Sequence, residues 1–165
     1  MAVALTYAST MTVVETFSAA QAPAAAAGSN TITHALFNGS QSLNAGTTVP
    51  VSAVAAFNKP LVAGAATIDL TVLPQTGGGT FSGNGLYVRA IKFIADAANA
   101  NPITIKFGAA NPYNLFGASW QIILSAGMEF LAFLVSGAPQ IAAGAKNIDL
   151  SGTGVQDVNV IIVLG

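Results

Sequence analysis

Cysteine is absent from this chain of 165 residues, so disulfides and thiolate metal sites are excluded. Charge is almost absent too. Lys, Arg, Asp and Glu make up 7% of the residues, against roughly 25% in an ordinary soluble protein. They are Glu15, Lys59, Asp69, Arg89, Lys92, Asp96, Lys106, Glu129, Lys146, Asp149 and Asp157. An isolated domain normally coats itself with such residues. Here the exterior must be Thr, Ser, Asn, Gln, Gly and Ala, a surface poorly protected from self-association, and the simplest reading is that much of it is covered in an assembly. No Lys or Arg precedes Lys59 and the formal net charge is −1. A basic N-terminal arm that neutralises phosphates is therefore missing, and no direct nucleic-acid contact is expected.

Catalytic sets are missing as well. The single histidine, His34, lies in a strand-like run with Thr31 and Thr33, and no Gly-x-Ser-x-Gly elbow accompanies it. Asp69 and Asp149 meet only if their two segments are neighbours, and their place in a repeated phrase favours tying down a turn or pairing with Lys146 or Arg89. Asp96 with Asn99 and Asn101 offers oxygen ligands without EF-hand spacing, so a polar loop tip is the simpler reading. Gly77-Gly78-Gly79 is followed by neither Gly-Lys-Ser/Thr nor a helix, and Gly83-Asn84-Gly85 lacks the third glycine of a dinucleotide site. No enzyme activity, cofactor or metal is expected.

Long apolar spans are also lacking. The uncharged stretch 107–128 is broken by Asn111-Pro112, Asn114, Gln121 and three glycines, and 130–145 is short and contains Pro139, so no membrane span is expected. MAVALTYASTMTVVE has no positive n-region and no unbroken apolar core, and does not read as a signal peptide.

What remains is a series of short apolar runs punctuated by Gly, Asn, Pro and Ser, the pattern of a sandwich or barrel. Strands are expected at 11–17, 31–37, 47–57, 66–73, 86–95, 102–107, 119–124, 128–135, 147–151 and 155–164. Residues 86–95 and 102–107 read as one hairpin, and 119–124 with 128–135 as another. That first hairpin puts Lys92 and Lys106 on one face as cross-strand neighbours, with Arg89, Tyr87 and Phe93 on the other. Residues 1–30 read as an N-terminal strand or arm plus the Ala-rich connection 19–30, which forms either a helical turn after Pro23 or an extended link. Residues 31–165 read as a single sandwich domain. PQTGGGTFSGNG is expected as a flexible loop.

A phrase recurs. Gly64-Ala65-Ala66-Thr67-Ile68-Asp69-Leu70-Thr71 returns as Gly144-Ala145-Lys146-Asn147-Ile148-Asp149-Leu150-Ser151. Each copy precedes a Gly-x-Gly turn, Gly83-Asn84-Gly85 or Gly152-Thr153-Gly154, and then a long strand. Packed sheets with Greek-key crossings offer such paired positions. Pro112, Tyr113, Leu115 and Phe116 form an apolar loop that either folds back to plug one end of the sandwich or anchors a neighbouring subunit. Trp120 starts an alternating strand and is expected in the core.

The order of strand, Ser-Ala-Gly-Met-Glu turn, strand, loop with Pro139, IDLS, GTG and the final strand VNVIIVLG resembles the second half of a single jelly roll. Over residues 47–165 the chain is similar to virion proteins of that class, including phage coat and decoration proteins. The resemblance implies an all-β, antiparallel, jelly-roll-like sandwich of about eight to ten strands. It also implies a virion structural protein whose partners are its own copies and other capsid proteins. The alternative is a secreted β-sandwich module binding carbohydrate or a cell surface, with Tyr87, Tyr113 or Trp120 as stacking platforms.

Overall fold

The structure is a computed structural model that describes residues 3–9, 13–17, 30–34, 39–75, 78–134 and 136–165. The Ala-rich connection up to Ser29 and residues 76–77 of the glycine loop lie outside the described residues. The chain divides into two compact units, Leu5–Leu43 and the rest. In the first, β1 (Ala4–Ser9) pairs with β4 (Gly39–Asn44), and β2 (Val13–Phe17) runs antiparallel to β3 (Asn30–His34) with Val13 opposite His34. GSQSLN of β4 escaped the sequence reading because it is small and polar, and ALTYAS of β1 was read only as part of an N-terminal strand or arm.

The second unit is a β-sandwich. Its strands are β5 (Ala53–Pro60), β6 (Ala65–Asp69), β9 (Val88–Ala95), β10 (Ile103–Phe107), β11 (Gln121–Leu124), β12 (Glu129–Phe133), β13 (Asn147–Ser151) and β14 (Asp157–Leu164). One sheet has the order β12-β9-β14-β5 and the other β11-β10-β13-β6, all antiparallel. From β5 onward the chain changes sheet at every connection except β10 to β11, which is the jelly-roll arrangement. The segment expected as a loose loop contains a small ladder, β7 (Leu73–Pro74) with β8 (Thr80–Phe81).

Two expected hairpins are therefore corrected. β9 and β10 lie in opposite sheets, and so do β11 and β12. Alternation records only that one face of a strand is buried, and it is the same whether the next strand pairs alongside or crosses over. Sheets pack about 10 Å apart, a gap that four extended residues span at ~3.3 Å each. Short turns such as 61–64 and 125–128 therefore suffice for crossings. Lys92 and Lys106 sit on different sheets and are not neighbours. The strand placed at 47–57 begins only at Ala53, which leaves Pro50 outside it; β5 is an edge strand and ends on Pro60, where a missing N–H costs no ladder bond.

Inward side chains of both sheets form one core. Val158, Val160, Ile162 and Leu164 alternate inward along β14, with Ile91 and Phe93 from β9 beside them and Ile103, Ile105, Ile148 and Leu150 opposite. A register shift at Val163/Leu164 places Leu164 opposite Val88 and Val163 opposite Ala90, with Arg89 at the irregularity. That bulge moves β9 out of strict alternation, which is why Val88 and Ile91 both reach the core.

The repeated phrase pairs with itself. In the β6–β13 ladder Ile148 lies opposite Ile68, Asp149 opposite Thr67 and Asn147 opposite Asp69. The likeness begins earlier than the sequence suggested, at Leu61 and Ile141, both fully buried. Val62 and Ala65 exchange backbone bonds of 3.0 and 3.1 Å, and Ala142 and Ala145 do the same at 3.1 and 2.9 Å. Gly83 packs against Ile141 and Gly152 against Leu61, where a Cβ would come within 3.1 and 3.4 Å of the side chain. Gly85 and Gly154 are both left-handed, with φ of 84° and 73°. The runs β5-β6-β9 and β12-β13-β14 thus correspond about a local two-fold between β6 and β13 and between β9 and β14, with β10 and β11 outside the correspondence.

Candidate interaction surface

The two ends of the sandwich are closed differently. At one end the described parts of the connections 70–87, 108–120 and 134–146 bring Leu70, Leu73, Tyr113, Leu115, Trp120 and Ile141 into the core. Tyr113 is fully buried; its hydroxyl donates to the Pro139 carbonyl (2.7 Å) and accepts from the Val88 N–H (3.5 Å). Burial pushes the Tyr113 hydroxyl up to about 12. Trp120 is buried as expected, and its Nε1–H donates to the Tyr113 carbonyl (2.9 Å). Leu115 is interior, Pro112 is half-buried, and Phe116 lies partly exposed with its ring edge-on to Trp120 (5.4 Å) and Phe130 (5.8 Å). Of the loop singled out from the sequence, Tyr113 and Leu115 therefore plug the end, and Phe116 alone presents a large apolar surface.

At the other end, short turns are tied by amides. Gln156 is 2% exposed; its Oε1 accepts from the Asn101 N–H (3.2 Å) and its Nε2 donates to the Thr153 carbonyl (2.8 Å). Asn99 brackets the Asp157 backbone, donating to its carbonyl and accepting from its N–H, both at 2.8 Å. Asp96 accepts from the Ala98 N–H (2.8 Å). One oxygen each of Asp96 and Asn99, both weighed as cation ligands, is thus engaged in holding the turn. Among the described residues no group of three or more His, Cys, Asp or Glu is placed to hold a metal ion.

The outer faces of the two sheets differ in character. On β11-β10-β13-β6 the outward residues include Gln121, Lys106, Asp149, Thr67, Thr104, Ser151, Asn147 and Asp69, with Ile123 and Ala65 among them. Asp149 accepts from Thr67 Oγ1 and the Ala109 N–H, each at 2.7 Å. Asp69 pairs with Lys146 Nζ (2.6 Å) and accepts from the N–H and hydroxyl of Thr71. Partial burial pushes the Asp69 carboxyl up, but the Lys146 and Thr71 hydrogen bonds and the Lys146 charge outweigh it and hold it below the ordinary value. The two carboxylates of the repeat stand at diagonal positions on adjacent strands, each bracing the sheet through its own partners.

The outer face of β12-β9-β14-β5 is more apolar, with polar residues gathered toward one end. One cross-strand row reads Phe133, Ala90, Val163, Val54, and the next reads Leu131, Lys92, Ile161, Ala56. A third row reads Glu129, Ile94, Asn159, Asn58. Leu131 is 48% exposed and Ile161 39%, while Val163 and Ala90 are buried without belonging to the sandwich core. The face's Lys and Glu, Lys92 and Glu129, pair with each other at 2.8 Å. The sequence reading missed this face. Its trace was present: IIVL in β14 and FLAF in β12 are apolar at both parities, which marks a strand with a use for each of its faces.

No family model, curated protein or solved structure matches this chain. Among the described residues no helix is long and apolar enough to cross a membrane.

Proposed function

We propose that this chain is a virion structural protein that self-assembles into, or decorates, a capsid shell through contacts carrying almost no charge. The observation that supports this reading is the apolar outer face of β12-β9-β14-β5 in a chain with 7% charged residues. A sheet already buried on its inner side gains nothing in solution from a second apolar side, and contiguous exposed apolar surface is the mark of an interaction site. The jelly roll houses capsid proteins, lectins and cupins alike, so the fold alone selects none of them. The surface is what supports the capsid reading.

A role away from the genome agrees with the charge placement. No Lys or Arg precedes Lys59, Lys92 is paired with Glu129, and Lys106 is on the other sheet. A phosphate-binding shell lining needs clustered cations. The reading as a secreted binding module has less support, since two of its three platforms are interior. Tyr113 and Trp120 are interior, and the Arg89 guanidinium stands 5.0 Å over the Tyr87 ring.

Negative-stain images of the purified protein, with sedimentation velocity beside them, test the proposal. Regular particles or large closed oligomers are expected, and their absence at every concentration would count against it.

A further inference from the structure

We infer that the outer face of β12-β9-β14-β5 is a two-fold contact between copies of this chain, packed sheet on sheet. This rests on the self-assembly proposed above and names the surface that performs it.

Charge singles out the occupant. A two-fold contact presents the same patch from both sides, so a patch of one sign repels itself. Here Lys92 and Glu129 cancel within hydrogen-bonding distance, Asp157 stands at the margin opposite the terminal Pro60, and Arg89 lies at the bulge near the other margin. Leu131, Ile94, Ile161 and Ala56 surround the Lys92–Glu129 pair, so the middle of the patch carries no net charge. A strongly acidic or basic partner would find no complement on it. A second copy would.

Area sets the strength. β12 has only 5 residues and the Ala90–Val163 row is already buried, so the exposed part is about 20 Å long and, with strands ~4.8 Å apart, at most about 19 Å wide. That is under roughly 400 Å² per copy, or about 800 Å² in total, below the standard range of specific interfaces. The pair is therefore weak alone and is held by repetition within a closed assembly. The other sheet's outer face, braced by Thr67–Asp149 and Lys146–Asp69, is not part of the contact.

The absence of native cysteine provides the test. Asn159→Cys places one thiol on the proposed face and Thr104→Cys one on the opposite face, and neither position faces the core. With a short bis-maleimide, Asn159→Cys is expected to give a cross-linked dimer at least tenfold more efficiently than Thr104→Cys. Leu131→Lys with Ile161→Lys is expected to weaken association at least tenfold in sedimentation while the melting midpoint and strand circular dichroism stay unchanged. Equal cross-linking at both positions, or undiminished association of the folded double variant, overturns this face and leaves self-assembly standing. Wild-type protein that stays monomeric at all concentrations overturns both.

Discussion

Ile68 faces Ile148 directly across the β6–β13 ladder, and each is the isoleucine of an Ile-Asp-Leu phrase. The two copies run antiparallel beside each other, so the central pairings have counterparts: Asn147 opposite Asp69 mirrors Asp149 opposite Thr67. Equivalent positions can nonetheless sit in different surroundings, and this makes the repeat an internal control.

Gly64 and Gly144 are such a pair. Gly64 has φ of +80° and a Cβ there would come 2.4 Å from the Gly152 carbonyl oxygen, whereas Gly144 has open space around it. Gly64→Ala is expected to cost about 2 kcal/mol or more from backbone strain and displacement. Gly144→Ala should stay within about 0.5 kcal/mol of wild type. Calorimetric melting midpoints of the two variants check this. Equal effects would mean that the two turns are equivalent.

Tyr113 clamps the plugged end. Tyr113→Phe leaves the Pro139 carbonyl without its donor and should cost about 1–3 kcal/mol, read from urea unfolding. Its raised pKa also gives a direction in alkali. The folded group stays neutral up to about 12 while the unfolded one ionises near 10. The stabilisation is therefore whole below the unfolded value and declines as pH rises toward the folded one. Tyr113→Phe should lose that part of the alkaline decline.

Asp69 acts at the acid end. Its pKa is lowered below 3.8, so the stability it contributes is present above that value and fades as pH falls through the folded one. The pair with Lys146 is partly exposed, so Asp69→Asn should cost under about 1 kcal/mol at neutral pH. Denaturant melts from neutral pH down to acid should then show a shallower loss for the variant.

Much of the fold was legible because burial on one side imprints alternation. The strands from 86 onward, the core place of Trp120 and the special use of Asp69 and Asp149 all follow from residue pattern. Pairing was not legible. Nothing in LYVRAIKFIA or ITIKFG distinguishes a neighbour in the same sheet from one across the core, so Lys92 and Lys106 were set side by side when Glu129 is the actual partner. The loop 112–116 was legible as apolar but not in its direction; only contacts such as Tyr113 to Pro139 decide that it folds inward. The outer apolar face was missed because Leu131 and Ile161 sit in runs that read simply as hydrophobic.

If subunit contacts are apolar, raising ionic strength should leave assembled particles intact at neutral pH, since screening weakens only charged contacts between exposed groups. Light scattering during a salt titration reads this. Release of subunits in the titration would point to ionic contacts instead.

The most direct measurement is sedimentation velocity of purified wild-type protein over a wide range of concentration, with electron microscopy of the same samples. A concentration-dependent shift into large, regular species is the predicted result. A single subunit that remains freely soluble and unassociated at the highest concentration reached would contradict it.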